Sequence, residues 1–142
     1  MVIRKSWVVT WLLIAVFTVA ALGCAGATSG TSRTIGPNDL PSLAGRWVGT
    51  ITLPSGSSET GTWDLTPAGD YTTRAGAFSA TGKAQVKDGA LLLTTTQQSG
   101  GQMTGTRTST ATLSETADGK MVLTGRGQAE SGPFSFQVTK QK

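Results

Sequence analysis

The sequence predicts an all-β protein, a single eight-stranded antiparallel up-and-down barrel that follows an N-terminal leader and a linker. From residue 43 onward, apolar residues alternate with Thr, Ser, Lys and Gln at a period of two, which is the pattern of half-buried strands. Glycines and Asp-Gly pairs interrupt this alternation about every ten residues, as turns do. No segment after residue 23 has a helical period. Closing the meander into a barrel removes the exposed edges of an open sheet.

The N-terminal leader has the composition of a secretory signal peptide. Residues 1–6 contain Arg4 and Lys5, and the sixteen residues 7–22 are apolar except for two threonines. A basic start followed by an apolar run is typical of an export signal. An uncleaved anchor helix remains an alternative, although such a helix needs about 20 apolar residues to span a bilayer. We therefore assign residues 1–23 to a signal peptide.

Cys24 is the only cysteine in the chain, and the small residue Gly23 precedes it. The segment Ala21-Leu22-Gly23-Cys24 resembles the lipobox of bacterial lipoprotein precursors, in which the cysteine is lipidated and becomes the first residue after cleavage. This resemblance implies that Cys24 carries acyl chains such as palmitate, each buried methylene contributing about 0.8 kcal/mol to attachment. It also implies a cell-envelope protein that is lipid-anchored to a membrane on the extracytoplasmic side. An ordinary cleaved signal followed by an unmodified thiol is the alternative.

Residues 24–42 are rich in Gly, Ser, Thr, Pro and Asn and show no hydrophobic period. This composition predicts a flexible tether with a mean reach of about 25 Å, and the lipobox resemblance implies that residue 24 is its lipidated N-terminus. The barrel domain is assigned to residues 43–142. Because the chain has one cysteine, no internal disulfide is possible and the domain depends on its own core or on partners.

The charge distribution argues against a nucleic-acid partner. The chain has 12 Lys+Arg and 8 Asp+Glu residues, and removing residues 1–23 takes away two cations, which leaves 10 − 8 = +2. The remaining basic residues are scattered singly, without the basic stripe and interleaved aromatic residues of a nucleic-acid surface. The membrane, reached through the N-terminal lipid, and a small ligand or an envelope protein are the expected partners.

Eight strands are predicted in chain order. Their ranges are 46–53, 60–66, 70–74, 77–87, 90–96, 102–115, 120–128 and 133–139. A two-residue turn at Asp88-Gly89 keeps the apolar sets of the flanking strands on one face. The next Asp-Gly pair needs a three-residue loop, 117–119, with Gly119 in the left-handed region, because only that register pairs Leu113 with Leu123.

The alternation then separates the residues that face inward from those that face solvent. The inward set is Trp47, Gly49, Ile51, Leu53, Trp63, Leu65, Tyr71, Phe78, Ala80, Gly82, Ala84, Val86, Leu91, Leu93, Met103, Gly105, Arg107, Ser109, Ala111, Leu113, Phe134, Phe136 and Val138. Large side chains at the strand ends alternate with small ones in the middle. The small residues either let a narrow barrel close tightly or leave an interior space.

Enzyme chemistry finds little support in this composition. The chain has no histidine, and its one cysteine is assigned to the anchor. Nucleophile-base pairs and zinc sites therefore lose their usual members. Carboxylate pairs are possible in principle, but Asp64 points outward, Glu59 and Asp70 flank turns, and Asp88 and Asp118 are turn residues. We predict no catalytic residues, no metal site and no cofactor.

Gly45-Arg46-Trp47 opens the first predicted strand, and an antiparallel meander follows it. This combination resembles the lipocalin and calycin group, whose barrels hold small apolar ligands. In that group a late Arg or Lys packs across the Trp ring, and Lys140 is the nearest candidate by order in the chain. Trp47 as ordinary core at the end of the barrel is the alternative. The resemblance implies a lipocalin-like carrier of a small apolar or amphiphilic molecule.

The expected ligand site combines an apolar lining with one cationic group. The lining residues are Trp47, Trp63, Phe78, Phe134 and Phe136. Arg107 falls at an inward position, where a guanidinium must be hydrated, paired or hydrogen-bonded. It is predicted to hold a carboxylate or phosphate head, unless its part of the strand runs past the barrel into water. A protein-interaction module, such as an inhibitor or assembly accessory using loops 54–59 and 97–102, and a structural envelope component are the alternatives.

Overall fold

The computed structural model describes residues 30–100, 105 and 108–142, and this part of the chain is almost entirely β-structure. Its elements are β1 (Thr31–Arg33), α1 (Leu40–Leu43), β2 (Gly45–Thr52), β3 (Ser58–Leu65), β4 (Asp70–Ala75), β5 (Phe78–Lys87), β6 (Ala90–Ser99), β7 (Thr108–Glu115), β8 (Met121–Ala129) and β9 (Gly132–Lys140). Within these residues, no helix has the length and apolar character needed to cross a membrane.

Strands β2 to β9 form a closed eight-stranded antiparallel up-and-down barrel, which confirms the predicted fold class. Each strand pairs with the next one along the chain, and β9 returns to pair with β2. The closing register places Trp47 opposite Lys140 and Ile51 opposite Phe136. Closure satisfies the backbone groups that would otherwise line two free edges.

The turn at Asp88-Gly89 has the predicted two-residue form. Lys87 pairs with Ala90 across it, and the two turn residues have φ values of 53° and 78°. Two consecutive positive φ values are those of a type I′ turn, whose twist matches the flanking strands. The register predicted for this hairpin is confirmed.

The loop between β7 and β8 is the predicted three-residue loop. Leu113 pairs with Leu123 and Ala111 pairs with Gly125, while Gly119 has φ 77°. The amide of Gly119 donates to the carbonyl oxygen of Thr116 at 2.9 Å. Glycine takes the left-handed conformation at no steric cost, so the hydrophobic register is reached without strain.

The segment before β2 departs from the expected tether. β1 pairs with β7, placing Thr31 opposite Glu115, and the amide of Ile35 donates to the carbonyl oxygen of Gly89 at 2.9 Å. Ile35 and Leu43 are each 1% exposed. From Gly30 onward the chain therefore belongs to the domain, and the tether assignment needs correcting there. Single apolar residues among polar ones carry no period, so the pattern gave no signal. Residues 1–29, including Cys24, lie outside the described residues.

The barrel has a closed end and a loop end. At the closed end lie the turns β3–β4, β5–β6 and β7–β8, with α1 packed beside them. Trp47 is fully buried there, and its Nε1 donates to the carbonyl oxygen of Leu43 at 2.9 Å. The ammonium of Lys140 donates to the carbonyl oxygen of Ser42 at 2.6 Å. The loop end carries the connections β2–β3, β4–β5 and β8–β9.

Aromatic rings fill much of the space that glycines leave on the inner face. The ring of Phe136 lies over its cross-strand partner Gly125, where a Cβ atom would come within 2.1 Å of the ring. The ring of Tyr71 lies in the same way over its partner Gly82, at 2.8 Å. The small residues were expected either to let the barrel close tightly or to leave an interior space. Close packing accounts for most of the interior.

Candidate functional site

A cavity of about 40 Å³ lies inside the barrel, in the half nearer the loop end. It is lined by Ile51, Gly61, Thr62, Trp63, Tyr71, Thr73, Phe78, Ala80, Thr95, Ser109, Phe134, Phe136 and Val138. A buried water needs about 10–15 Å³ measured in this way. The cavity therefore has room for roughly three water-sized groups.

Trp63 is at the centre of the apolar wall of this cavity. Its ring centroid is 5.4 Å from that of Tyr71 and 5.0 Å from that of Phe136, with interplanar angles of 46° and 54°. Tilted rings at these distances contribute about 0.5–1.5 kcal/mol beyond their buried area. The three rings thus brace one another, and their faces and edges form a preformed apolar surface.

Hydroxyl groups from β4 and β6 also line the cavity, and Thr73 on β4 is the cross-strand partner of Trp63. The phenol oxygen of Tyr71 and Oγ1 of Thr95 are 3.0 Å apart and share a hydrogen bond. Burial raises the pKa of Tyr71 above its ordinary value, and the hydrogen bond with Thr95 acts in the opposite direction with a smaller effect. The phenol is therefore neutral at physiological pH. Thr73 Oγ1 is also buried and has no hydrogen-bond partner in the described structure.

A bulge in β6 determines which of its polar residues face inward. The register is Thr81 with Gln97 and Gly82 with Thr95. Thr96 is consequently an extra residue in β6, and two residues in succession, Thr96 and Gln97, are exposed. Gln98 then lies opposite Ala80 on the inner side. Strict alternation would place Gln97 there, so the bulge changes the residue offered to the interior.

The structure brings together four of the six residues predicted to bind ligand. Trp63, Phe78, Phe134 and Phe136 all line the cavity. Trp47 belongs to the core at the closed end and does not line the cavity. Its position is that of the alternative given above, an ordinary core residue at the end of the barrel. Arg107 lies outside the described residues, as do Met103 on the inner face of the same predicted strand and residues 101–102 of the loop 97–102. The anchor role of Arg107 stays a prediction.

Several cavity residues were not singled out from the sequence as ligand-binding. Tyr71 was assigned to the inner face only, and Thr73 shares that face because it follows two residues later. Ala80 and Ser109 were likewise placed inward. Thr95 continues the alternation of Leu91 and Leu93, so its position was within reach of the same argument. Their hydroxyls were overlooked because threonine and serine look like surface residues in a strand pattern.

The cavity is electrically neutral in the described part of the chain. None of its described lining residues carries a charged side chain. The described residues also contain no cluster of three or more His, Cys, Asp or Glu side chains that could hold a metal ion. The chemistry that this site offers is apolar contact together with hydrogen bonding to hydroxyl groups.

Comparisons with protein-family models, with curated proteins and with solved structures gave no significant match to this chain.

Proposed function

We propose that this chain is a lipid-anchored cell-envelope protein that binds a slender apolar or amphiphilic molecule in its barrel and performs no catalysis. The cavity at the loop end is the observation that carries this proposal. It is preformed, its walls are mainly aromatic and aliphatic, and a few hydroxyls lie among them. That combination is characteristic of small-molecule sites.

The size of the cavity limits the class of ligand. Sites for drug-sized molecules occupy about 300–1,000 Å³, whereas this cavity has about 40 Å³. A ligand with several fused rings would require the aromatic side chains to move apart. An unbranched chain has a narrow cross-section, and a few of its atoms fit the existing space. We therefore favour a ligand that inserts the end of a chain.

The same residues support the non-catalytic part of the proposal. The chain contains no histidine, and the described cavity wall presents hydroxyls without a carboxylate or an amine beside them. A hydroxyl needs a neighbouring base to become a nucleophile. Binding is the activity that these groups support.

Filling the cavity tests the binding proposal. Ala80 lines the cavity and is 4% exposed, so Ala80→Leu would occupy the space with three additional carbon atoms. The full chain is labelled with 5-fluorotryptophan, and butan-1-ol and 1-fluorobutane are added as probes. We expect a saturable shift of the Trp63 fluorine resonance, larger than that of Trp47, in the wild type and none in Ala80→Leu.

Gln85→Leu is the matched control, because Gln85 lies on the same strand and is exposed. This variant should bind both probes as the wild type does. Tryptophan-to-phenylalanine variants assign the resonances, and headspace chromatography gives the free concentration of each volatile probe. A Trp63 resonance that never saturates, or that responds equally in Ala80→Leu, would refute binding in the cavity.

The anchor is tested separately by metabolic labelling with an alkyne analogue of palmitate. The sequence around Cys24 supports lipidation, so the wild type should incorporate the label and fractionate with membranes. Cys24→Ala should lose both properties, whereas Thr28→Ala should keep them. Equal labelling of wild type and Cys24→Ala would remove the anchor from the proposal.

A protein-interaction module is the second candidate function, and the small volume of the cavity favours it. The interior is largely filled by its own rings, while the β2–β3 loop at Ser55–Ser57 is exposed. Native mass spectrometry of the full chain purified from its own envelope distinguishes the two roles. A small added mass supports carriage, and a stoichiometric protein partner without that mass supports the module.

A further inference from the structure

We infer that the cavity selects a ligand whose polar group is an uncharged hydroxyl, hydrogen-bonded to Thr73. This inference rests on the proposed binding function and specifies the ligand class. Thr73 lies on the inner face of β4 and is 8% exposed, so more than nine-tenths of it is buried. It lines the cavity, and its Oγ1 has no partner among the described residues.

An unpaired buried hydroxyl is unusual in a folded protein. Most buried polar groups have at least one hydrogen-bond partner, and leaving one unsatisfied costs about 1–3 kcal/mol. The neighbouring hydroxyls of Tyr71 and Thr95 share one hydrogen bond at 3.0 Å, and neither is hydrogen-bonded to Thr73. A ligand group placed in the cavity recovers the missing bond.

A second unpaired polar atom lies in the same row of the sheet. Thr73 pairs with Ala80, and Ala80 pairs in turn with Gln98. Gln98 Oε1 is buried and lacks a partner in the described structure. Ala80 lies between the two in the ladder, and it lines the cavity whereas Gln98 does not. A carbonyl oxygen only accepts, whereas a threonine hydroxyl both donates and accepts. A group that itself donates and accepts therefore suits this row.

The neutral character of the described lining favours an alcohol over an anion. Moving an ionised carboxylate from water into an apolar site is strongly unfavourable without a paired cation. The described lining contains hydroxyls and apolar groups alone. A neutral hydroxyl loses much less hydration and finds a complementary partner in Thr73. An anionic ligand would leave its head outside the cavity, and its affinity would not depend on Thr73.

The test compares three probes of similar length on the full chain: butan-1-ol, 1-fluorobutane and butanoate. The Trp63 fluorine resonance reports binding. Thr73→Val keeps the shape and removes the hydroxyl, so we expect it to bind butan-1-ol about tenfold more weakly. Its affinity for 1-fluorobutane should stay within twofold of wild type. Thr73→Ser, which restores a hydroxyl, should regain most of the preference for the alcohol.

Thr72→Val is the matched control, because Thr72 is the next residue on β4 and faces the other way. It should bind all three probes as the wild type does. Thr73→Val should also unfold at an equal or higher temperature, since it removes a hydroxyl that has no partner among the described residues. This second measurement separates a lost contact from a damaged fold.

Two results would overturn the inference while leaving the proposed function intact. One is butan-1-ol binding that is unchanged in Thr73→Val, and the other is tighter binding of butanoate than of butan-1-ol by the wild type. Failure of all three probes to shift the Trp63 resonance would instead overturn the proposed function itself. The two failures are therefore distinguishable in one set of titrations.

Discussion

Aromatic rings pack directly over glycine residues in the middle of the strands. Gly125 and Phe136 are directly opposite on β8 and β9, and Gly127 and Phe134 are opposite one position further on. In both pairs an added Cβ would come within 2.6 Å of the facing ring. Because protein interiors are close-packed, a clash of this size is not absorbed by small shifts. The shape of the cavity wall thus depends on residues that have no side chain.

We predict that Gly125→Ala destabilises the protein by about 1–3 kcal/mol, because the new methyl group displaces the ring of Phe136. The free energy of unfolding is measured by urea titration. Thr124→Ala, an exposed change on the same strand, should be nearly neutral. In the double variant Gly125→Ala/Phe136→Leu the two effects should be strongly non-additive. Additive effects would show that the ring does not depend on the glycine.

Acid sensitivity at the β7–β8 turn follows from one exposed carboxylate. The hydroxyl of Thr116 donates to Asp118, and Lys120 lies beside the same carboxylate with Nζ at 2.9 Å from Oδ2. These contacts, the first being the larger, lower the pKa of Asp118 to about 2. A carboxylate with a lowered folded-state pKa stabilises the protein above its unfolded-state pKa, which is about 3.9. That contribution is lost as the pH falls toward 2.

We therefore expect Asp118→Asn to unfold at a lower temperature than wild type at pH 5, with the difference shrinking between pH 4 and pH 2. Thr116→Val should show a pH-dependent change of the same kind, together with a loss that does not depend on pH, because its hydroxyl also hydrogen-bonds the backbone of Lys120. Calorimetric melting at pH 5, 3 and 2 measures the effect. Parallel melting curves for wild type and Asp118→Asn across this range would contradict the assignment.

At the scale of elements, the short segments β1 and α1 complete the closed end of the barrel. Ile35 between them is 1% exposed and belongs to the main core, although most residues around it are exposed. β1 pairs with β7 at Leu113–Glu115, whereas β6 pairs with β7 only at Thr108–Ala111. The N-terminal strand thus covers a stretch of β7 that the neighbouring hairpin does not reach.

We predict that Ile35→Ala lowers the free energy of unfolding by about 2–5 kcal/mol, as truncation of buried aliphatic residues does. Ser32→Ala, on exposed β1, should change it by less than about 0.5 kcal/mol. Chemical denaturation of both variants measures the difference. A neutral Ile35→Ala would mean that the domain begins near residue 43, as the composition alone suggests.

The elements that could be predicted from the sequence are those in which a wrong strand register would expose apolar side chains. Slipping the β7–β8 hairpin by one residue would expose Leu113 or Leu123, so the correct loop could be chosen before any coordinates. β1 and α1 carried no such signal, because a buried isoleucine in a polar stretch has no period. The bulge at Thr96 was also missed. The residues on both sides of it are polar, so the extra residue does not interrupt any alternation of apolar and polar residues. The volume of the cavity depends on how the aromatic rings pack over the glycines of the facing strand. The spacing of residues in the sequence does not predict that packing.

At the scale of the whole molecule, the pairing of β2 with β9 converts a chain of hairpins into one closed unit. Every other contact between neighbouring barrel strands is local in sequence, whereas Trp47 and Lys140 are brought together from opposite ends of the barrel domain. The same core residues serve both halves of the barrel, in a single cluster that extends from Ile35 to Val138. A closed sheet with one continuous core is expected to open as a unit.

This cooperativity gives a prediction for Val138→Ala on the closing strand. Val138 is 3% exposed and pairs with both Gly49 and Leu123, so its truncation weakens closure and core together. We expect a loss of about 1–3 kcal/mol in global stability. Native-state hydrogen exchange should show the same loss at amides of β5 and β6, on the far side of the barrel, as at amides of β2.

Gln137→Ala is the control for this prediction, because Gln137 is the adjacent residue on β9 and faces solvent. It should leave the slowest-exchanging amides unchanged. Acceleration of exchange only in β2, β8 and β9 would contradict the prediction. It would mean that the β2–β9 pair opens locally and that β3 to β7 stay folded without it. Uniform acceleration indicates instead that β3 to β7 do not stay folded once β9 separates from β2, so the barrel opens as one cooperative unit.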